Sequence, residues 1–298
     1  MMTCKKIGAS AAVVAALIAV NPAAAGPLQD INVLDGTGNT IASNVFKFQY
    51  TDANAVAVGK GPFGSDPFTS GPNPFDLYYQ STVTSFLDRD NNTIFGAQSP
   101  NYQFTVAAQL LELAVPGDGP NSVNFIPQAG TISLFYDDFS SGVAANSATG
   151  VGFTDGIEIA RFSVVGGVSS FTLIDAGTGT GSTNFNFELV TALDFVNEDY
   201  LQGVEAPIFN FHFTSQLAFP PVGTIPSGFF TSTTDPTSPY QPYVSNSTQF
   251  PDLFLQVQGS NTFSRVPEPG TIALFALGLI GLGFAMRRRG FNMNAAAV

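Results

Sequence analysis

The chain has 298 residues, 22 acidic against 10 basic, with 44% hydrophobic residues, 29 phenylalanines, no tryptophan, one cysteine and one histidine. Over residues 26–264 the imbalance sharpens to 21 acids against Lys47, Lys60, Arg89 and Arg161, a net charge of −17. Such a surface repels phosphate backbones and argues against nucleic acid as a partner, while a single cysteine excludes a disulfide framework and a zinc–thiolate site.

Residues 1–25 have the layout of a secretory signal peptide. Lys5 and Lys6 form a basic start, residues 9–20 an apolar core, and Ala23, Ala24 and Ala25 supply the small side chains that signal peptidase accepts, which places cleavage before Gly26. Cys4 precedes the apolar core and would leave with it, so the body from 26 onward has no thiol.

Residues 26–264 carry the alternation of half-buried strands. Phe46, Phe48 and Tyr50; Phe104, Val106, Ala108 and Leu110; Ile132, Leu134 and Tyr136; Ile157 and Ile159; Phe185, Phe187 and Leu189; Phe209, Phe211 and Phe213; and Leu253, Leu255 and Val257 all follow a period of two. Turn chemistry predicts breaks at Asp88 to Asn92, at Gln128-Ala129-Gly130, at Gly166-Gly167 and over 177–181. The expected fold is all-β: one antiparallel β-sandwich or jelly roll. Residues 219–250 hold Pro220, Pro221, Pro226, Pro236, Pro239 and Pro242 and read as a long surface loop, because one more strand follows.

Chemistry in this body is sparse. A hydrolytic triad needs a base that titrates near neutrality, and the lone His212 lies between Phe211 and Phe213, on the polar face of a strand. Asp137 and Asp138 are adjacent, so a strand points them to opposite faces, which makes a poor acid–base pair; Asp155 and Glu158 are a second acidic pair. The body is expected to be non-enzymatic and to need no cofactor.

Calcium is the one cation for which ligands recur. Asp88, Asp90 and Asn92 set oxygens at alternate positions like the first half of an EF-type loop, although Thr93 stands where glycine belongs and Ser99 where the bidentate glutamate belongs. A plain turn accounts for the same residues. A lectin-like, carbohydrate-binding alternative rests on Tyr78, Tyr79, Tyr240 and Tyr243 as flat stacking rings, with calcium as a helper.

The far end is the most specific stretch. Val266, Pro267, Glu268, Pro269 and Gly270 precede 16 uncharged residues (271–286), then Arg287, Arg288 and Arg289, with 290–298 as a short tail. Sixteen helical residues span about 24 Å, less than the roughly 30 Å hydrocarbon core, which suits a transient membrane segment better than a permanent anchor. The prolines keep the approach extended, as a peptide held in an enzyme cleft must be.

Residues 265–289 resemble the PEP-CTERM sorting signal of exopolysaccharide-producing Gram-negative bacteria, which joins a Pro-Glu-Pro triad, a short apolar helix and a basic cluster. The resemblance implies an inner-membrane precursor handled by an exosortase and a product at the cell surface or outside it. More loosely, 130–139, 155–167, 210–219 and 251–263 are similar to the ectodomain of flocculation-associated PEP-CTERM proteins. That likeness implies a surface or matrix protein acting with exopolysaccharide in biofilms or flocs.

Overall fold

The computed structural model describes residues 30–59, 73–117, 122–140, 142–172, 181–182, 185–204, 208–215, 218–219, 225–230, 240, 243 and 252–264. The signal peptide, the sorting helix with its arginines, the tail and residues 177–180 of the predicted glycine turn lie outside the described residues.

Every described element is a strand: β1 (Ile31–Leu34), β2 (Thr40–Val45), β3 (Lys47–Ala57), β4 (Asn73–Leu87), β5 (Thr93–Gly96), β6 (Gln98–Ser99), β7 (Tyr102–Pro116), β8 (Ser122–Asp137), β9 (Ile157–Thr172), β10 (Gly181–Ser182), β11 (Phe185–Val196), β12 (Leu201–Gln202), β13 (Ile208–Ser215), β14 (Ala218–Phe219) and β15 (Leu253–Ser264). Each of the seven alternating runs in the sequence falls on one of the long strands, except that Phe46 stands just before β3.

Eight strands pair in the circular order β3, β4, β7, β8, β9, β11, β13, β15 and back to β3, all antiparallel. This is a closed up-and-down barrel in place of the expected two-sheet sandwich or jelly roll. The decisive contact is β4 with β7, running from Asn73 opposite Ala114 to Thr82 opposite Thr105. β4 divides its partners: its last turn, Ser85 to Leu87, pairs with the short β5 instead. Closure leaves no long unpaired edge, which is how a small all-β body avoids adding strands from other chains.

The interior is aromatic. Phe48, Tyr50, Phe86, Phe104, Phe162 and Phe211 are fully buried, and Phe86 meets Phe48 at a tilt and Phe104 edge-on, at centroid distances of 4.8 and 5.3 Å. One rim is closed by the three-stranded sheet β12-β1-β2, whose Ile31, Val33, Val45 and Leu201 join the same core. Tyr200 sits 5.0 Å from Tyr136 at this rim and fills the space over Gly36, where φ is +78° and a Cβ would fall 2.4 Å from the tyrosine ring.

Part of the outer wall is also buried. Outward Val56, Tyr78, Ala107 and Phe135 form a second apolar cluster with Phe229, Phe230 and Tyr240. The described residues of the proline-rich loop therefore pack on the barrel. The segment 142–154 is clipped to the same wall: Asn54 Nδ2 donates to the Ser147 carbonyl (2.7 Å), Gln80 Nε2 to that of Gly150 (3.1 Å) and Thr105 Oγ1 to that of Phe153 (2.7 Å). Gly228 N in turn donates to the Thr149 carbonyl at 2.9 Å.

Two predicted turns prove to be bulges inside continuous strands. Gln128 is the extra residue where Leu111 opposes Ala129 and Glu112 opposes Pro127 in β8, and Val165 is the extra residue where Thr191 opposes Val164 and Val190 opposes Gly166 in β9. Glycine and proline disturb the pleat at both places without reversing the chain.

Gly150 is a tightly constrained point of the outer strap. Its φ is +80° and a Cβ would lie 2.6 Å from the Phe229 amide nitrogen. Gly150→Ala is expected to cost at least about 2 kcal/mol, through left-handed backbone strain and the displaced strap; urea unfolding of the full-length chain measures it.

Candidate functional site

The predicted calcium ligands lie in the tight turn between β4 and β5. Asp88 accepts from the amides of Asp90 (2.9 Å) and Asn92 (2.8 Å) and from Asn92 Nδ2 (3.1 Å), while Asn91 takes a left-handed φ of 62°. The Asn92 bonds hold the Asp88 carboxyl below its usual range. Asp35 does the same work in the β1–β2 turn, accepting from Thr37 and Asn39. Asp and Asn four residues apart thus make a repeated turn device, and Asp88 spends both oxygens inside its own loop. No group of three or more acidic, histidine or cysteine side chains converges on a metal position among the described residues.

The other acids singled out in the sequence are likewise built into the framework. Asp137 is buried, accepting from the Phe139 amide (2.7 Å) and Gln103 Nε2 (3.1 Å); burial raises its pKa despite those bonds. Asp138, its exposed neighbour, caps Ser140 N at 2.9 Å. Asp155 accepts from Val143 N at 2.8 Å, whereas Glu158 pairs with Arg161 and accepts from Ser133 Oγ. Asp155 and Glu158 therefore serve a loop and an ion pair, not one cleft. His212 is exposed on β13, with Glu188 of β11 and Ser260 of β15 as its register partners, while Phe211 beside it is buried.

The tyrosines proposed for sugar stacking are used in packing. Tyr79 lies in the barrel core. Tyr78 meets Phe230 and Tyr243 edge-on at 5.2 and 5.6 Å, Tyr243 donates its hydroxyl to Asp252, and buried Tyr240 donates to the Ala107 carbonyl at 3.0 Å.

The group that sequence reading passed over is Glu112. It stands between Leu110 and Ala114 at the inward parity of β7 and is 1% exposed, with Oε1 lacking any hydrogen-bond partner. Burial alone pushes its pKa up to about 8. The signal was present in the alternation, since a charged residue occupies an inward slot of an apolar strand. It marks the one described inward carboxyl without a structural task visible in its hydrogen bonds.

Residues 265–289 match the family model described as the PEP-CTERM protein-sorting motif. The chain carries a PEP-CTERM sorting motif. The matched segment contains Val266 to Gly270 and Arg287 to Arg289, so it covers the whole tripartite tail but none of the barrel. No curated protein and no solved structure matches the chain. The PEP-CTERM motif implies handling by an exosortase, hence export and membrane-linked sorting toward the cell surface.

Glu112 makes stability depend on pH. The folded protein keeps this carboxyl protonated up to about pH 8, whereas the unfolded chain releases the proton near the ordinary value of 4.5. The unfolded state thus binds fewer protons in that window, and stability falls as pH rises from about 4.5 to 8, by at most roughly 1.4 kcal/mol per pH unit. Glu112→Gln is expected to remove this slope and to be the more stable protein at pH 8. Urea unfolding at pH 5, 6, 7 and 8 checks it.

Proposed function

We propose that this is a non-enzymatic exported protein whose acidic β-barrel is delivered by the PEP-CTERM tail to the cell surface or extracellular matrix, among exopolysaccharide, where it contributes to biofilm or floc structure. The observation that carries the reading is the complete motif at 265–289. The barrel fits this role. Asp88, Asp137, Asp155 and Glu158 are each occupied by hydrogen bonds that hold loops and strands, and the tyrosines of the outer wall are packed against phenylalanines.

On this reading the precursor is inserted in the inner membrane by signal peptide and tail, signal peptidase trims the start before Gly26, and an exosortase acts near Pro267-Glu268-Pro269. The uncharged segment is too short for a comfortable permanent span, and the arginines hold its end on the cytoplasmic side. The acidic body, with 21 acids against four bases over 26–264, then stays soluble in a hydrated polysaccharide matrix.

Replacing Pro267, Glu268 and Pro269 together by alanine is expected to leave export intact and to make full-length precursor accumulate in the inner-membrane fraction. Fractionation and immunoblotting of the producing strain read this directly. Normal loss of the precursor in that variant would remove the sorting mechanism from the proposal. Loss of retention in the exopolysaccharide fraction, with processing unaffected, would separate the matrix role from the sorting role.

A further inference from the structure

The two facing bulges and Glu112 share one stretch of barrel wall. β8 and β9 pair from Ser122 opposite Thr172 to Phe125 opposite Ser169, and again from Thr131 opposite Ser163 onward. Between these stretches, 126–130 and 164–168 form no ladder pairs with each other, although the register on either side is the same and each stays paired to its other neighbour, β7 or β11. Gln128 and Val165, the extra residues of the two bulges, both fall in this window. Pro127 has no amide hydrogen to offer β9, and the Ile126 carbonyl instead accepts from Gln128 Nε2 at 3.1 Å. Gly166 lies opposite Val190, one residue from the pair formed by Gly167 and core Leu189, and apart from its chain neighbours no heavy atom lies within 4 Å of where its Cβ would stand, so the outer side of the seam is uncovered here. Apolar Ile126 and Val165 are exposed at this seam, by 40% and 59%.

Behind the seam, Pro127 is in register with Glu112, and Glu112 with Phe75 of β4. The Phe75 and Phe125 rings meet edge-on at 5.6 Å in the core. The inward neighbours on β4 and β8 are Phe75, Leu77, Phe125 and Pro127, none of them titratable; the titratable groups of the described core are Tyr50, Tyr79, Tyr136 and Tyr200. An acid in this setting has hydrogen-bonding capacity that no protein group uses.

We propose that the β8–β9 seam admits a small amine, whose protonated nitrogen pairs with Glu112 while its apolar body lies against the aromatic pair Phe75 and Phe125. An amine fits for three reasons. A buried carboxylate is tolerated when an opposite charge accompanies it, an ammonium is attracted to aromatic faces, and a body of net charge −17 gathers cations from solution. The apolar lip of Ile126 and Val165 favours one charged head on an apolar body over a polyamine. Without the amine Glu112 holds its proton at neutral pH; on binding, that proton passes to solvent and a carboxylate–ammonium pair remains. No covalent bond forms.

The test is calorimetric titration of the full-length chain in nanodiscs with benzylamine at pH 7, in two buffers of unlike ionisation enthalpy. Saturable one-to-one binding with release of about one proton per amine is expected, with no such binding by benzyl alcohol. Glu112→Gln should lower affinity at least tenfold. Val165→Lys, an exposed change that leaves the core untouched, should lower it about fivefold by setting a cation at the entrance. Non-saturable uptake, binding without proton release, or equal affinity in a folded Glu112→Gln protein would each overturn the proposal. Should Glu112→Gln fail to fold, the proton count and Val165→Lys decide: unchanged affinity in Val165→Lys counts against the seam.

Discussion

Closure of the barrel by β4 and β7 is the constraint from which the remaining structure follows. Each strand must satisfy its backbone donors and acceptors, and an open eight-stranded sheet would leave two long rows unmet. Once Asn73 to Thr82 pairs with Thr105 to Ala114, the two strands that would otherwise be the edges of an open sheet are paired with each other. The aromatic core then has a fixed volume to fill. The outward polar residues of β3, β4 and β7 are left to choose between water and the strap at 142–154, and Asn54, Gln80 and Thr105 bind the strap.

The all-β character was legible because period-two alternation survives wherever one face is buried, as in Phe104, Val106, Ala108 and Leu110. β4 escaped that reading because its outer face is buried as well. Tyr78 and Gln80 are covered by Phe230 and Gly150, so its sequence does not alternate cleanly between apolar and polar. Barrel and sandwich share the same strand pattern, and the difference lies in one long-range pairing that no local signal encodes. Gly130, Gly166 and Gly167 were misread as turns because a bulge and a turn draw on the same residues; strand length on both sides decides between them. Of the sites, the PEP-CTERM segment was fully legible, being a linear motif that owes nothing to the fold. Glu112 was visible only as a parity violation, which acquires meaning once the inward direction of β7 is known.

The carboxylates show how an acidic body is used. Asp35 and Asp88 tie turns to their own backbone, Asp137 holds Gln103 and the Phe139 amide, Asp155 holds the strap at Val143, and Glu158 neutralises Arg161. These side chains are assigned to architecture, whereas Glu112 is buried among apolar neighbours at an energetic cost that the hydrogen-bond network does not offset.

β15 remains in the ladder up to Ser264, opposite Ile208 on β13, with Thr262 opposite Lys47 on β3. The sorting segment begins at the next residue. Any cut beyond Ser264 therefore severs the chain without unzipping a described rung of the sheet. Every described rung of the barrel lies ahead of the sorting segment, like a parcel closed before its label is attached.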